Sequence, residues 1–236
     1  MDGIYLKNEI PDYMPQLQTF SFNIITRTNV TAYVNDQLYE DIRCTFLNGK
    51  FHQVDFYLDQ YPDGMARSHI YSLPYRMNVM RAIRSTFSGG LFTNVRAISL
   101  PDLFCPFKHK IYDRIAHSFP RLTDLIAFNH KPRNYKPSHE AKKNNQMSSV
   151  IVFPHLTHIE ICFGNINIAE QLLVDINMLL LHLINLTIPY SCIDEVTEDF
   201  TRDATRWNCA NIKRLNFNRV SLVHCKEFHL YFPDYK

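Results

Sequence analysis

A chain of 236 residues, 46% apolar and 20% charged, has the composition of a globular protein with room for a substantial core, and not of a disordered one. A formal net charge of +2 excludes bulk electrostatic attraction to nucleic acid or anionic membranes, and a count of 6 glycines argues against a loop-rich sandwich of strands. In chain order the first recognisable phrase starts at Met14, with Leu17, Phe20 and Phe22 at offsets of +3, +6 and +8. Val34, Leu38, Ile42 and Phe46 then form a helical stripe closed by Asn48-Gly49. Between 50 and 75, His52, Val54, Phe56 and Leu58 alternate, Tyr61-Pro62-Asp63-Gly64 is a strong turn, and 68–73 is extended again, which predicts a β-hairpin insertion. Met77, Met80, Ile83 and Phe87 predict another helix, ended by Gly89-Gly90.

From here the opening phrase recurs. It starts at Phe92 (Val95, Ile98, Leu100), Phe119 (Leu122, Leu125, Ala127), Phe153 (Leu156, Ile159, Ile161), Leu180 (Leu183, Leu186, Ile188) and Cys209 (Ile212, Leu215, Phe217). Two copies, FPRLTDL at 119–125 and FPHLTHI at 153–159, are nearly identical. The +3 positions fall at 17, 95, 122, 156, 183 and 212, so the gaps are 78, 27, 34, 27 and 29; the first equals three gaps of 26, as though two degenerate repeats filled it. Helical stripes separate the phrases: Ile111, Ile115 and Phe119; Ile168, Leu172, Ile176 and Leu179; Ile193, Val196, Phe200, Ala204 and Trp207. In the last stripe Trp207 reads as helix-end packing and Arg206 as surface. The polar, proline-containing interval 130–149, HKPRNYKPSHEAKKNNQMSS, reads as a flexible basic insertion.

Strand and helix therefore alternate, which implies parallel strands joined by right-handed crossovers. The residues between +6 and +8 are mostly polar (Ser21, Ser99, Glu160, Thr187 and Asn216, with Ile126 the exception), so each strand has one buried and one wet face. A doubly wound sheet would bury both faces, and its glycine-rich phosphate turns, GxGxxG or GxxxxGK, do not occur. The pattern favours a solenoid.

A period in the high twenties headed by LxxLxL resembles the irregular leucine-rich repeats of intracellular proteins, particularly the repeat region of F-box/leucine-rich-repeat proteins. The resemblance covers most of the chain, is strongest from Leu91 to the end, and rests on spacing rather than on any single motif. It implies an α/β fold: one leucine-rich-repeat-like solenoid domain over 1–236, with a parallel sheet on the concave face, helices on the convex face and the hairpin inserted near 50–75. The asparagine expected at +8 from the first leucine is replaced by Leu103, His130, Gly164, Ser191 and Val220, so an asparagine ladder is missing and the turns must satisfy their backbone groups otherwise. The function implied is a non-enzymatic protein–protein interaction module, the substrate-recognition part of an F-box-type ubiquitin ligase subunit. No F-box is recognisable in these residues, so the chain is expected either to be a portion of something longer or to lack the adaptor function.

Solenoid sheets present one open side chain per strand at regular spacing, which builds an extended binding face. The strand register places there Asp124, Ile126 and Phe128; His158, Glu160 and Cys162; Asn185 and Thr187; and Arg214, Asn216 and Asn218. Of these, Asp124, Phe128, His158, Glu160, Thr187, Arg214 and Asn216 are the candidate protein-binding residues, and the expected partner is another protein. No catalytic, metal or cofactor residue is assigned. His155 and His158 lie three apart and point to opposite faces of a strand, His224-Cys225 are neighbours in sequence only, and the carboxylate pairs Asp194-Glu195 and Glu198-Asp199 sit on the solvent side of their stripe. Two other readings stay open. An enzyme on an open α/β sheet predicts converging His, Cys or carboxylate groups; a binder of nucleic acid or an acidic partner would use Lys131, Arg133, Lys136, Lys142 and Lys143 of the basic insertion.

The N-terminus MDGIYLKNEIPDYM carries no secretory pattern, and the apolar run 176–188, broken by Asn177, His182 and Asn185, is too short and polar to span a bilayer. The six cysteines (44, 105, 162, 192, 209, 225) lack CxxC spacing and read as reduced thiols. An intracellular location, cytoplasmic or nuclear, without membrane association is expected.

Overall fold

The computed structural model describes residues 16, 20–29, 44–45, 53–60, 65–84, 86–102, 109–129, 149–163, 166–217 and 226–235. The chain falls into two compact units, residues 1–77 with 86–88 and residues 78–85 with 89–236.

In the first unit β1 (Asn23–Asn29), β2 (Val54–Gln60) and β3 (Met65–Ser72) form an antiparallel sheet in the order β1-β3-β2. The predicted hairpin is present: β2 and β3 pair from Val54↔Ser72 to Gln60↔Ala66. The strand that follows Phe20 and Phe22 is not a member of the parallel sheet. It runs antiparallel to β3, from Asn23↔Tyr71 to Asn29↔Met65. A period of two tells which face is buried and leaves the pairing partner open, so the phrase beginning at Met14 reads the same in either sheet. Phe22, Phe56, Tyr57, Ile70, Tyr71, Tyr75 and Phe87 form the core of this unit. The helical stripe from Val34 to Phe46 lies outside the described residues, apart from 44–45.

The second unit is mixed α/β. Its strands β4 (Val79–Met80), β5 (Ala97–Asp102), β6 (Asp124–Asn129), β8 (His158–Cys162), β10 (Asn185–Thr187) and β11 (Arg214–Asn216) form a six-stranded parallel sheet in which neighbours follow chain order. A separate parallel pair joins β7 (Ile151–Val152) to β9 (Met178–Leu179). The helices are α1 (His109–Ser118), α2 (Ile166–Leu173), α3 (Tyr190–Thr197), α4 (Asp203–Cys209) and α5 (Lys226–Tyr231). Of the interval expected to hold two degenerate repeats, the described part contains the antiparallel unit and the short strand β4.

The recurring phrase explains the sheet. Its +6 residues Ile98, Leu125, Ile159, Leu186 and Leu215 are successive Cα partners across the strands, with no slip of register. They are buried together with the +8 residues Leu100, Ala127, Ile161, Ile188 and Phe217, so one face of the sheet is a continuous apolar layer. The +3 residues and the phrase-starting Phe92, Phe119, Phe153, Leu180 and Cys209 are buried as well. Between start and +3 the chain turns: Val95, Leu122 and Ile212 donate from N–H to the carbonyls of Phe92, Phe119 and Cys209, at 3.2, 3.1 and 3.1 Å. Pro120 and Pro154 stand at the second position of such turns, where a fixed φ is pre-set for the bend.

Each turn then hands over to the sheet in one repeated way. A single carbonyl accepts from two successive N–H groups of the following repeat: Asn78 from Arg96 and Ala97, Arg96 from Thr123 and Asp124, Thr123 from Thr157 and His158, Thr157 from Ile184 and Asn185, Ile184 from Lys213 and Arg214, all at 2.7–3.1 Å. These shared carbonyls satisfy the strand starts without an asparagine ladder.

Three helical stripes come out differently. The described residues of the stripe from Met77 to Phe87 form no helix, and Val79 and Met80 pair with Ala97 and Ile98 as strand β4. The stripe from Ile168 ends at Leu173; Met178 and Leu179 belong to β9, and Ile176 is 70% exposed. The stripe from Ile193 breaks into α3 and α4, and Trp207 is 62% exposed on α4 instead of packing at a helix end. The break lies at Glu198, Asp199 and Phe200, which hold φ of 52°, 55° and 62° with no glycine among them. Glu198 N–H donates to Glu195 and Asp199 N–H to Asp194, the paired bonds that close a helix on a left-handed residue. Glycine takes that conformation without the Cβ clash, while the exposed Glu198–Arg202 ion pair at 3.7 Å contributes little. Glu198→Gly is therefore expected to raise the unfolding free energy by about 1 kcal/mol in urea titration; an unchanged or lower midpoint would show that the left-handed glutamate carries no such penalty.

Candidate functional site

Opposite the apolar layer, every second strand residue is left open. The first open row runs Ala97, Asp124, His158, Asn185, Arg214, and the second runs Ser99, Ile126, Glu160, Thr187, Asn216, each residue the Cα partner of the next. A third, shorter row pairs Phe128 with Cys162. Arg214 and Asn216 are exposed, and the other described members from Asp124 onward are half-buried. The structure thus brings Asp124, Phe128, His158, Glu160, Thr187, Arg214 and Asn216 onto one surface, together with Ile126, Cys162 and Asn185. Asn218 lies outside the described residues, as do the cations of the basic insertion.

Polar contacts tie the face together, one across strands and two along the chain. The Asp124 carboxylate accepts from Thr123 Oγ1 at 2.6 Å through Oδ2 and lies 3.2 Å from His158 Nδ1 through Oδ1. Sequence neighbours three apart, His155 and His158, are in different surroundings: His158 joins the sheet face, while His155 sits in the turn before the strand. On the next row Cys162 Sγ donates to Glu160 Oε1 at 3.4 Å. Burial pushes the Cys162 thiol up to about 12, helped by the Glu160 charge and this hydrogen bond, so at neutral pH it is a thiol and not a nucleophilic thiolate. Cys44, Cys192 and Cys209 are also free thiols, and burial holds Cys209 up at about 12. Among the described residues no group of three or more His, Cys, Asp or Glu side chains is placed to hold a metal ion. None of their helices is long and apolar enough to cross a membrane.

The surface mixes charge of both signs with Ile126 and Phe128, a composition that can make hydrogen bonds and bury a little apolar area at once. A further column was missed in reading the strands one by one. The third residue of the recurring phrase is Arg121, His155 and His182 in successive repeats, at the edge of the sheet just before the strands begin. Aligning the phrases and reading down each position, rather than along each strand, would have found it. The chain matches no protein-family model, and neither a curated protein nor a solved structure matches it.

Proposed function

We propose that the parallel-sheet unit is a leucine-rich-repeat-like solenoid whose open sheet face binds another protein, as the substrate-recognition part of an F-box-type ubiquitin ligase subunit. The observation that supports this most is the register. Repeats of unequal length are trimmed to one common ladder, so that chemically different side chains stand side by side on an open surface built for area rather than for a pocket. Asp124, His158, Glu160, Thr187, Arg214 and Asn216 supply the polar contacts of that surface, and Phe128 an apolar anchor.

The test is a triple variant, His158→Glu with Glu160→Arg and Arg214→Glu, which inverts charge on both rows without touching the apolar layer. Affinity capture with mass spectrometry from the native cells is expected to recover protein partners, ubiquitin-ligase components among them, with wild type, and about tenfold less of them with the variant. Unaltered circular dichroism would show that the fold survives. Equal recovery by both proteins would remove the sheet face from consideration.

A further inference from the structure

At the N-terminal ends of β5, β6, β8 and β10 lies a groove of about 390 Å³ lined by Arg96, Arg121, Thr123, His155, Thr157 and His182. Two guanidiniums and two imidazoles line it, and no carboxylate does. On a chain whose net charge is only +2, this is a local concentration of positive charge and N–H donors.

The fold builds the array. Arg121, His155 and His182 each stand three residues before Asp124, His158 and Asn185, which are Cα partners in the sheet. The repeat therefore delivers one basic side chain per strand at equivalent positions, about 5 Å apart from strand to strand. Arg96 is held from behind, its Nη1 donating to the Arg121 carbonyl at 3.2 Å, which leaves its remaining donors to the groove. The side chains of Arg121, His155 and His182 make no hydrogen bond or ion pair among the described residues. The threonines do not compete as donors. Thr123 Oγ1 donates to the Arg96 carbonyl at 3.1 Å or to Asp124, and Thr157 Oγ1 to the Thr123 carbonyl at 3.3 Å.

From this arrangement we propose that the groove binds a phosphoryl group in its doubly charged form. Two permanent positive charges match two negative ones, and the planar guanidinium forks address pairs of phosphoryl oxygens in a way that a single carboxylate would leave half used. Arg121 to His182 spans two strand spacings, about 10 Å, room for one phosphoryl group or two linked ones. The groove opens beside the Asp124–His158–Asn185 row, yet its chemistry stands whether or not that face binds a protein.

The experiment is a calorimetric titration of wild type with inorganic phosphate, diphosphate, a short phosphoserine peptide and a single-stranded oligonucleotide, at fixed ionic strength set with chloride. Saturable binding of phosphate or the phosphopeptide is expected, weakened about tenfold or more by Arg121→Gln with His182→Gln. A stronger response to the peptide would identify a phosphorylated side chain as the source, and a similar response to phosphate or diphosphate a free small molecule. Both variant positions are exposed, so folding should be unaffected, and the wild-type imidazole resonances of His155 and His182 should shift on phosphate addition independently of any variant. No saturable binding of phosphate, diphosphate or phosphopeptide, equal affinity in the variant, binding of the oligonucleotide alone, or silent imidazole resonances would each overturn the proposal.

Discussion

Asn208→Ala is expected to lower the unfolding free energy by about 4 kcal/mol, a large share of what a protein of this size has in reserve. The side chain is fully buried on α4 and makes three hydrogen bonds, all of them to backbone. Its Oδ1 accepts from the Leu180 N–H at 2.9 Å, and its Nδ2 donates to the carbonyls of Leu173 and Met178 at 3.0 and 2.8 Å. Those three groups sit where α2 ends and β9 leads into the phrase starting at Leu180. Elsewhere the phrase-starting N–H finds a main-chain carbonyl, as Phe92 finds Ser118 at 2.8 Å and Phe153 finds Leu179 at 3.2 Å. At Leu180 an asparagine from the following repeat replaces it. Alanine would leave one donor and two acceptors buried and unmet, each at about 1–3 kcal/mol before relaxation. Asn208→Asp keeps the acceptor but turns an oxygen toward two carbonyls, and should be at least as harmful. Chemical denaturation decides the matter: a loss below about 1 kcal/mol for the alanine variant would mean that the three backbone groups find other partners.

The same residue shows where sequence reading reached its limit. The expectation that the turns must satisfy their backbone groups without an asparagine ladder was correct as a statement of need, but the solution comes from two sources that no strand pattern announces. One is the shared carbonyl at each strand start, and the other is a side chain 28 residues away from the group it serves. The parallel sheet was legible because FxxLxxLxL encodes a turn, a buried corner and two buried strand positions in a single phrase, and every such position is apolar. The open rows followed from the alternation alone. What failed were positions with helical spacing that lie in strands: Met80 is fully buried in β4 and Leu179 half-buried in β9, and an apolar spacing alone does not distinguish the two periods over so few residues. The break between α3 and α4 was invisible because its three left-handed residues include no glycine or proline to mark it.

Lowering the pH from 7 to 5 is expected to cost wild type about 2 kcal/mol through His69 alone. His69 is fully buried in the antiparallel sheet, with Tyr57 and Tyr71 rings at 4.7 and 5.3 Å. Burial first, and then the charge of Arg67, lowers its pKa from 6.5 to about 3. The hydrogen bonds favour the same neutral form. Asn23 Nδ2 donates to the Tyr75 hydroxyl at 2.8 Å, which turns Oδ1 toward His69 and makes Nε2 the donor at 2.5 Å; Nδ1 is then left to accept from the Tyr57 hydroxyl. A second proton on Nδ1 would face a group already donating to it. Between pH 6.5 and 3 the unfolded chain therefore binds the proton and the folded one does not, so stability is complete above 6.5 and falls by about 1.4 kcal/mol per pH unit below it. Lowering the pH also acts on groups other than His69, which is why the comparison must be made against His69→Gln. That variant keeps an amide to bond Asn23 or Tyr57 but has nothing to protonate, so its stability should start lower at pH 7 and decline less steeply. Urea unfolding at pH 7, 6 and 5 measures both slopes. Parallel slopes would mean that His69 takes up its proton in the folded protein, with Arg67 and the two tyrosines moving to admit it.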